Sequence, residues 1–145
     1  MKSTSWQGRA KSNVTICDPN VNKISSIQGD LDYVCRELAA REPIFHRPEF
    51  GTTRADFERM TDASFWEVGA SGRRYSREYV LDTLEKRLLQ PIEEAWQTRG
   101  FHCLEIAPGH YLVTYTLDQG HRITRRATLW RQTREGWKAL YHQGT

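Results

Sequence analysis

Two side chains in this 145-residue chain have types and settings that could hold or move a proton: Glu67 and His142. Glu67 lies in the run 64–70, which reads as a strand and closes on the turn pair Ser71-Gly72. Alternation gives Glu67 one face with Phe65 and Gly69, and gives the other to Trp66 and Val68. If Phe65 faces a core, Glu67 is drawn inward with it and needs a partner. A carboxylate at the mouth of an apolar pocket can have a raised pKa and shuttle a proton next to a carbonyl. The alternative is a structural carboxylate bonded to an arginine or a histidine. His142 lies in the run 137–143, sharing a face with Leu140 and Lys138, while Gln143 shares the other with Tyr141 and Ala139. It reads as an acid or base working with Glu67, or as the hydrogen-bond partner that holds Glu67 still. Only one of the two sets points into a pocket, and alternation leaves open which.

The other chemical candidates are weaker. His46 sits in Phe-His-Arg-Pro-Glu-Phe at 45–50, which is either a connection pinned by side-chain hydrogen bonds or a ligand-gating loop. Arg47 and Glu49 stand where they can pair across Pro48. His102, His110 and His121 fall in separate strands, so no metal spacing emerges, and neither a metal nor a cofactor is expected. Cys17, Cys35 and Cys103 are an odd number without a CxxC pair, which fits a reducing, cytoplasmic compartment. Arg122, Arg125, Arg126 and Arg131 share a basic segment with Trp130, but alternation splits them between two faces. Solvated sheet edges or a dimer rim account for such charges better than a continuous nucleic-acid patch. Walker, GxGxxG and GxSxG motifs are missing from the sequence.

These residues need a scaffold, and the sequence supplies one domain of ordinary size. With 38% hydrophobic and 11% aromatic residues, a packed core is expected and full disorder is excluded. The net charge of +3 arises in residues 1–26, where four basic side chains face Asp18 alone; the rest balances at 17 basic and 17 acidic. Residues 1–26 read as a flexible or loosely docked polar arm, and the polar start at 1–7 gives no expectation of a secretory leader. No run approaches the roughly 18 apolar residues of a membrane span.

From residue 27 the pattern becomes helical, with Leu31, Val34, Cys35 and Leu38 at i, i+3, i+4 and i+7. Pro43 should stop or kink that helix at Glu42. Thr53 with Asp56 makes a capping-box start for a short second helix whose apolar face is Phe57 and Met60. Ser76 caps a third helix with an inner face of Val80, Leu81, Leu84 and Leu88. Pro91 ends it or begins a short turn around 93–96. After Gly100 the period falls to 2, giving strands at 101–106, 110–117, 121–132 and 137–143 joined by short turns. Helices first and an antiparallel meander last make the class α+β, with the helices on one face of a curved antiparallel sheet.

That element order resembles the nuclear transport factor 2-like superfamily. The segment 62–78, Asp-Ala-Ser-Phe-Trp-Glu-Val-Gly-Ala-Ser-Gly-Arg-Arg-Tyr-Ser-Arg-Glu, is similar to its strand-and-turn signature, and 136–145 to its final strand. Both segments resemble the branch called domain of unknown function 4440, near the SnoaL-like and ketosteroid isomerase-like members. The resemblance covers residues 28–145. It implies a cone-shaped half-barrel with a pocket between sheet and helices, and a homodimer formed through the sheet. It also implies that Glu67 falls where isomerase-like members keep a carboxylate general base. Their acid donors have no clean counterpart here: Cys35 falls where a tyrosine is expected, and Tyr33, Tyr75, Tyr111 and Tyr115 qualify by chemistry only.

Three functions follow as expectations. The first is a pocket that binds a small, partly apolar molecule, lined by Phe65, Trp66, Tyr111, Tyr115, Trp130 and Gln143 and oriented by Glu67 and His142. The second is an isomerase-, dehydratase- or cyclase-type enzyme with Glu67 as base. The third is a protein–protein interaction module with a collapsed pocket. Neither nucleic acid nor membrane is an expected partner.

Overall fold

The structure is a computed structural model that describes residues 15–16, 26–89 and 95–145. The helical stripe forms α1 (Ser26–Ala39), with Cys35 and Leu38 fully buried and Leu31 and Val34 packed at the margin of the core. Regular helix ends before the expected stop, yet the winding tapers on: Arg41 N–H donates to Leu38 O at 3.0 Å and Glu42 N–H to Ala39 O at 3.2 Å. Truncating a residue as buried as Leu38 to alanine costs about 2–5 kcal/mol.

Thr53 caps α2 (Arg54–Met60) as anticipated: its hydroxyl accepts from Asp56 N–H at 3.2 Å, and the Asp56 carboxylate accepts from Thr53 N–H at 3.0 Å. Ser76 likewise accepts from Tyr79 N–H at 3.2 Å to start α3 (Arg77–Leu88). Val80, Leu81 and Leu84 are buried, but Leu88 is 44% exposed. Its turn lies beyond the packed core, against an open cavity described below. Arg54 ties the two helices together, its guanidinium reaching Glu58, Glu78, Asp82 and Glu85 at 2.7–3.1 Å.

Among the described residues the sheet has seven strands, β1 (Thr15–Ile16), β2 (Thr61–Val68), β3 (Arg74–Ser76) and the four C-terminal strands β4 to β7, in the order β1-β4-β5-β6-β7-β2-β3. The expected meander is present as β4 (Gln97–Ala107), β5 (His110–Asp118), β6 (Ile123–Thr133) and β7 (Gly136–Gly144). The first turn uses Gly109 at φ 72°, a left-handed value that favours glycine. Three features go beyond the meander. β2 spans Thr61–Val68, three residues earlier than expected, because Thr61 leaves α2 already extended while its hydroxyl still donates to Phe57 O at 2.8 Å. β3 (Arg74–Ser76) makes a short hairpin with β2 where only a turn was expected. β2 also runs parallel to β7, so the sheet is antiparallel except at that one seam.

Of the N-terminal arm, Thr15–Ile16 forms β1 on the edge of β4, opposite Cys103 and His102. The remainder of that arm, apart from the first residue of α1, and the expected turn after Pro91 lie outside the described residues, save Ala95 and Trp96.

The core fills the space between the helices and the inner face of the curved sheet. β5 alternates strictly, burying Tyr111, Val113, Tyr115 and Leu117. Phe65, Trp130 and Ala139 join them from β2, β6 and β7. Cys35 and Cys103 are each 1% exposed and serve as small apolar residues there.

Candidate functional site

Where helices and sheet diverge, they leave a cavity of about 880 Å³. One wall is the segment after α1 (Pro43, Phe45, His46), another is α3 with Tyr79, Leu84 and Arg87, and the floor is sheet, with Glu67, Arg126 and His142. Phe45 adopts φ 70°, a left-handed backbone for a bulky residue. Its ring is wedged edge-on between Phe57 at 5.6 Å and Phe65 at 5.9 Å, contacts that hold this wall in place.

Glu67 and His142 are neighbours. They are partners in the parallel β2–β7 register, so both side chains leave the sheet on the cavity side. Burial pushes the Glu67 carboxyl above its ordinary range, against the pull of Arg126 and Arg87, and no protein hydrogen bond to it contributes. It faces the cavity as a carboxylate without a fixed donor among the described residues.

His142 has both nitrogens engaged. A guanidinium only donates, so the 3.5 Å contact from Arg126 Nη1 makes His142 Nε2 the acceptor. The remaining proton then sits on Nδ1 and is donated to Thr128 Oγ1 at 2.8 Å. Burial, reinforced by Arg126 and His46, lowers its pKa to about 3, so it is neutral near pH 7. His46, its ring tilted by 57° against that of Trp96 at 4.5 Å, is lowered to about 4 by burial and by Arg87 and Arg126. Neither histidine therefore adds positive charge to the cavity at neutral pH.

Behind His142 lies a residue whose place before Pro43 marks it in the sequence only as a helix stop. Glu42 is 0% exposed and collects donors from across the chain. Ile44 N–H reaches Oε2 at 2.8 Å, Tyr115 OH reaches Oε2 at 2.7 Å and Trp130 Nε1–H reaches Oε1 at 3.1 Å. Burial raises its pKa, while bonds from Thr128, Tyr115, Ile44 and Trp130 pull it back down. A polar chain thus runs from Arg126 through His142 and Thr128 to Glu42. The signal for Glu42 was present: four residues beyond Leu38, it continues the buried stripe of α1.

The residues expected around the pocket fall into three groups. Glu67 and His142 line the cavity together. Phe65, Tyr111, Tyr115 and Trp130 are buried in the core but are not among its lining residues. Tyr115 and Trp130 are occupied in holding Glu42, Tyr111 packs against Trp137, and Trp130 borders a separate cleft of about 190 Å³. Trp66 and Gln143 stand on the opposite face of the sheet. Trp66 packs against Tyr141 under Arg74, and Gln143 accepts from Tyr141 OH at 2.6 Å. Strand alternation is the reason: Glu67 and Trp66 cannot both face inward, nor can His142 and Gln143.

Two other expectations change. Arg47 does not pair with Glu49; its Nε–H donates to the Glu42 carbonyl at 2.8 Å and pins the loop there. Arg126 is no rim charge, but half-buried on the cavity floor. Among the described residues, no group of three or more His, Cys, Asp or Glu is placed to hold a metal ion, and no helix is long and apolar enough to cross a membrane.

No family model and no curated protein matches the sequence. Solved structures match it in fold. A nuclear transport factor 2-like protein from Streptomyces avermitilis, for which dehydratase activity has been proposed, is 17% identical over 82% of this chain and 96% of its own, with a TM-score of 0.62. A nuclear transport factor 2-like protein from Cytophaga hutchinsonii is 13% identical over 84% of this chain and 98% of its own, at 0.56. An uncharacterised protein with a cystatin-like fold from Caulobacter vibrioides is 14% identical over 81% of this chain and 87% of its own, at 0.57. At such identities the likeness shows the fold, a cone-shaped α+β half-barrel of the nuclear transport factor 2-like type, and not an activity.

Proposed function

We propose that this chain is a small-molecule-binding protein whose ligand enters the cavity floored by Glu67 and His142. The observation that carries this reading is the Glu67 carboxylate, half-buried in a cavity of about 880 Å³ with no hydrogen bond from the described residues. That volume is within the roughly 300–1,000 Å³ of ordinary ligand sites, and walls of Phe45, Leu84 and Trp96 suit a partly apolar body. Segments 62–78 and 136–145 support a finer affiliation with the domain of unknown function 4440 branch. A homodimer formed through the outer sheet face belongs to the same reading. The open cavity counts against an interaction module built on a collapsed pocket.

The test is a native mass spectrum of freshly purified, unheated protein, followed by a library of small organic molecules. A bound small-molecule mass or a saturable library hit is the expected result. A bare protein that takes up nothing from the library contradicts the proposal.

A second reading is favoured by the same carboxylate. With its pKa raised and no donor among the described residues occupying it, Glu67 is suited to accept a proton from a bound molecule, as a general base must. An enzyme of that kind would show a rate that follows deprotonation of one carboxyl and collapses in Glu67→Gln while the fold survives. An unchanged rate in that variant disposes of this reading.

A further inference from the structure

We infer that the ligand is a small organic acid whose carboxylate is held by Arg126; this rests on the binding reading above and names its ligand class. Arg126 rises from β6 onto the cavity floor and carries no ion pair among the described residues. Its partners are neutral acceptors, Thr124 Oγ1 at 2.9 Å from Nε and His142 Nε2 at 3.5 Å from Nη1. Of the five N–H donors of a guanidinium, three are left without an acceptor among the described residues, one on Nη1 and two on Nη2, the pair of nitrogens that binds a carboxylate end-on.

The position of this group is built into the neighbouring strand. Arg126 is the register partner of Gly144, and a Cβ added to Gly144 would lie 2.8 Å from both Arg126 Cζ and Nη1. The guanidinium thus lies across the space that glycine leaves empty. Glu67, two strands away on β2, draws on Arg126 through space but makes no ion pair with it, and neutral His142 on β7 stands between their strands.

Charge in the cavity favours an anion. Among the described residues, Arg87, Arg122 and Arg126 line it against Glu67 as the one lining carboxylate, an excess of two positive charges. Glu67 on the same floor repels a doubly charged group, which favours a single planar carboxylate over a phosphate. The apolar wall takes the rest of the molecule.

The experiment titrates the full chain with matched pairs of aryl-alkanoic acids and their primary amides, of graded chain length, by calorimetry. The acid is expected to bind at least tenfold more tightly than its amide. Arg126→Gln should remove that preference. Gly144→Ala, which displaces the flexible end of Arg126 and keeps its charge, should weaken the acid at least threefold and leave the amide unchanged, with circular dichroism showing both variants folded. Equal affinity for acid and amide, or a preference that survives in Arg126→Gln, overturns the inference and leaves the binding reading standing. Binding of neither member of any pair, together with no library hit, overturns both.

Discussion

The hydroxyl of Tyr115 donates to Glu42 Oε2 at 2.7 Å, joining a central strand to the end of the first helical segment. The same carboxylate fixes Ile44 N–H, and the Glu42 carbonyl receives Arg47. The cavity wall at Pro43, Phe45 and His46 therefore hangs on one buried group. Tyr115→Phe is expected to cost about 1–2 kcal/mol in chemical denaturation. Glu42→Ala, which strands several buried donors, should cost about 3–5 kcal/mol. Equal, near-zero losses would show that the carboxylate does not anchor this wall.

Acid should destabilise the protein through its buried histidines. His142 and His46 titrate at about 3 and about 4 when folded but near 6.5 when unfolded. Their stabilising contribution is full above pH 6.5 and is lost as pH falls towards the folded values, since the unfolded chain then binds more protons. Each contributes up to about 1.4 kcal/mol per pH unit in that window. Glu42 and Glu67, both raised, act in the opposite sense: their contribution is greatest at low pH and lost as pH rises through their folded values. The informative quantity is a difference. Between pH 6.5 and 4, His142→Gln should show a shallower decline than the parent in urea-unfolding free energy, and parallel declines would contradict a neutral, buried His142.

Arg54 is surrounded by Glu58, Glu78, Asp82 and Glu85. Removing it leaves four carboxylates facing one another across α2 and α3. Arg54→Ala is expected to lower the melting temperature at low salt, and added sodium chloride should recover part of the loss by screening the repulsion. A loss independent of salt would assign the effect to packing.

The outer sheet face carries Trp66, Leu112, Leu129 and Tyr141 on four strands, with Trp66 38% exposed. If the chain pairs through this face, Leu129→Glu should convert a dimer to a monomer in light scattering without changing the circular dichroism spectrum. A parent that is already monomeric, or a variant that stays dimeric, removes the outer face from the account.

What was legible in the sequence was local. Thr53 with Asp56, and Ser76 with Tyr79, act over three residues, and β5 displays its burial by simple alternation. Glu42 continues the stripe of Leu38 by spacing, but an acid before proline reads as a helix end. Its burial depends on donors at 44, 115, 128 and 130, which no local pattern contains. Arg126 shares the face of buried Trp130, but its place over the cavity floor is set by Gly144 on the next strand. Parallel pairing of β2 with β7 unites Glu67 and His142 from distant parts of the chain, a register visible only once the strands are assembled in this order.

The most direct test of the account is a two-dimensional NMR titration of the full chain with a ligand found in the library, repeated in Glu67→Gln and His142→Ala. The account predicts shifts concentrated at Phe45, Glu67, Trp96, Arg126 and His142, with affinity reduced tenfold or more in at least one variant that remains folded. Shifts confined to the outer sheet face, or unchanged affinity in both variants, would contradict it.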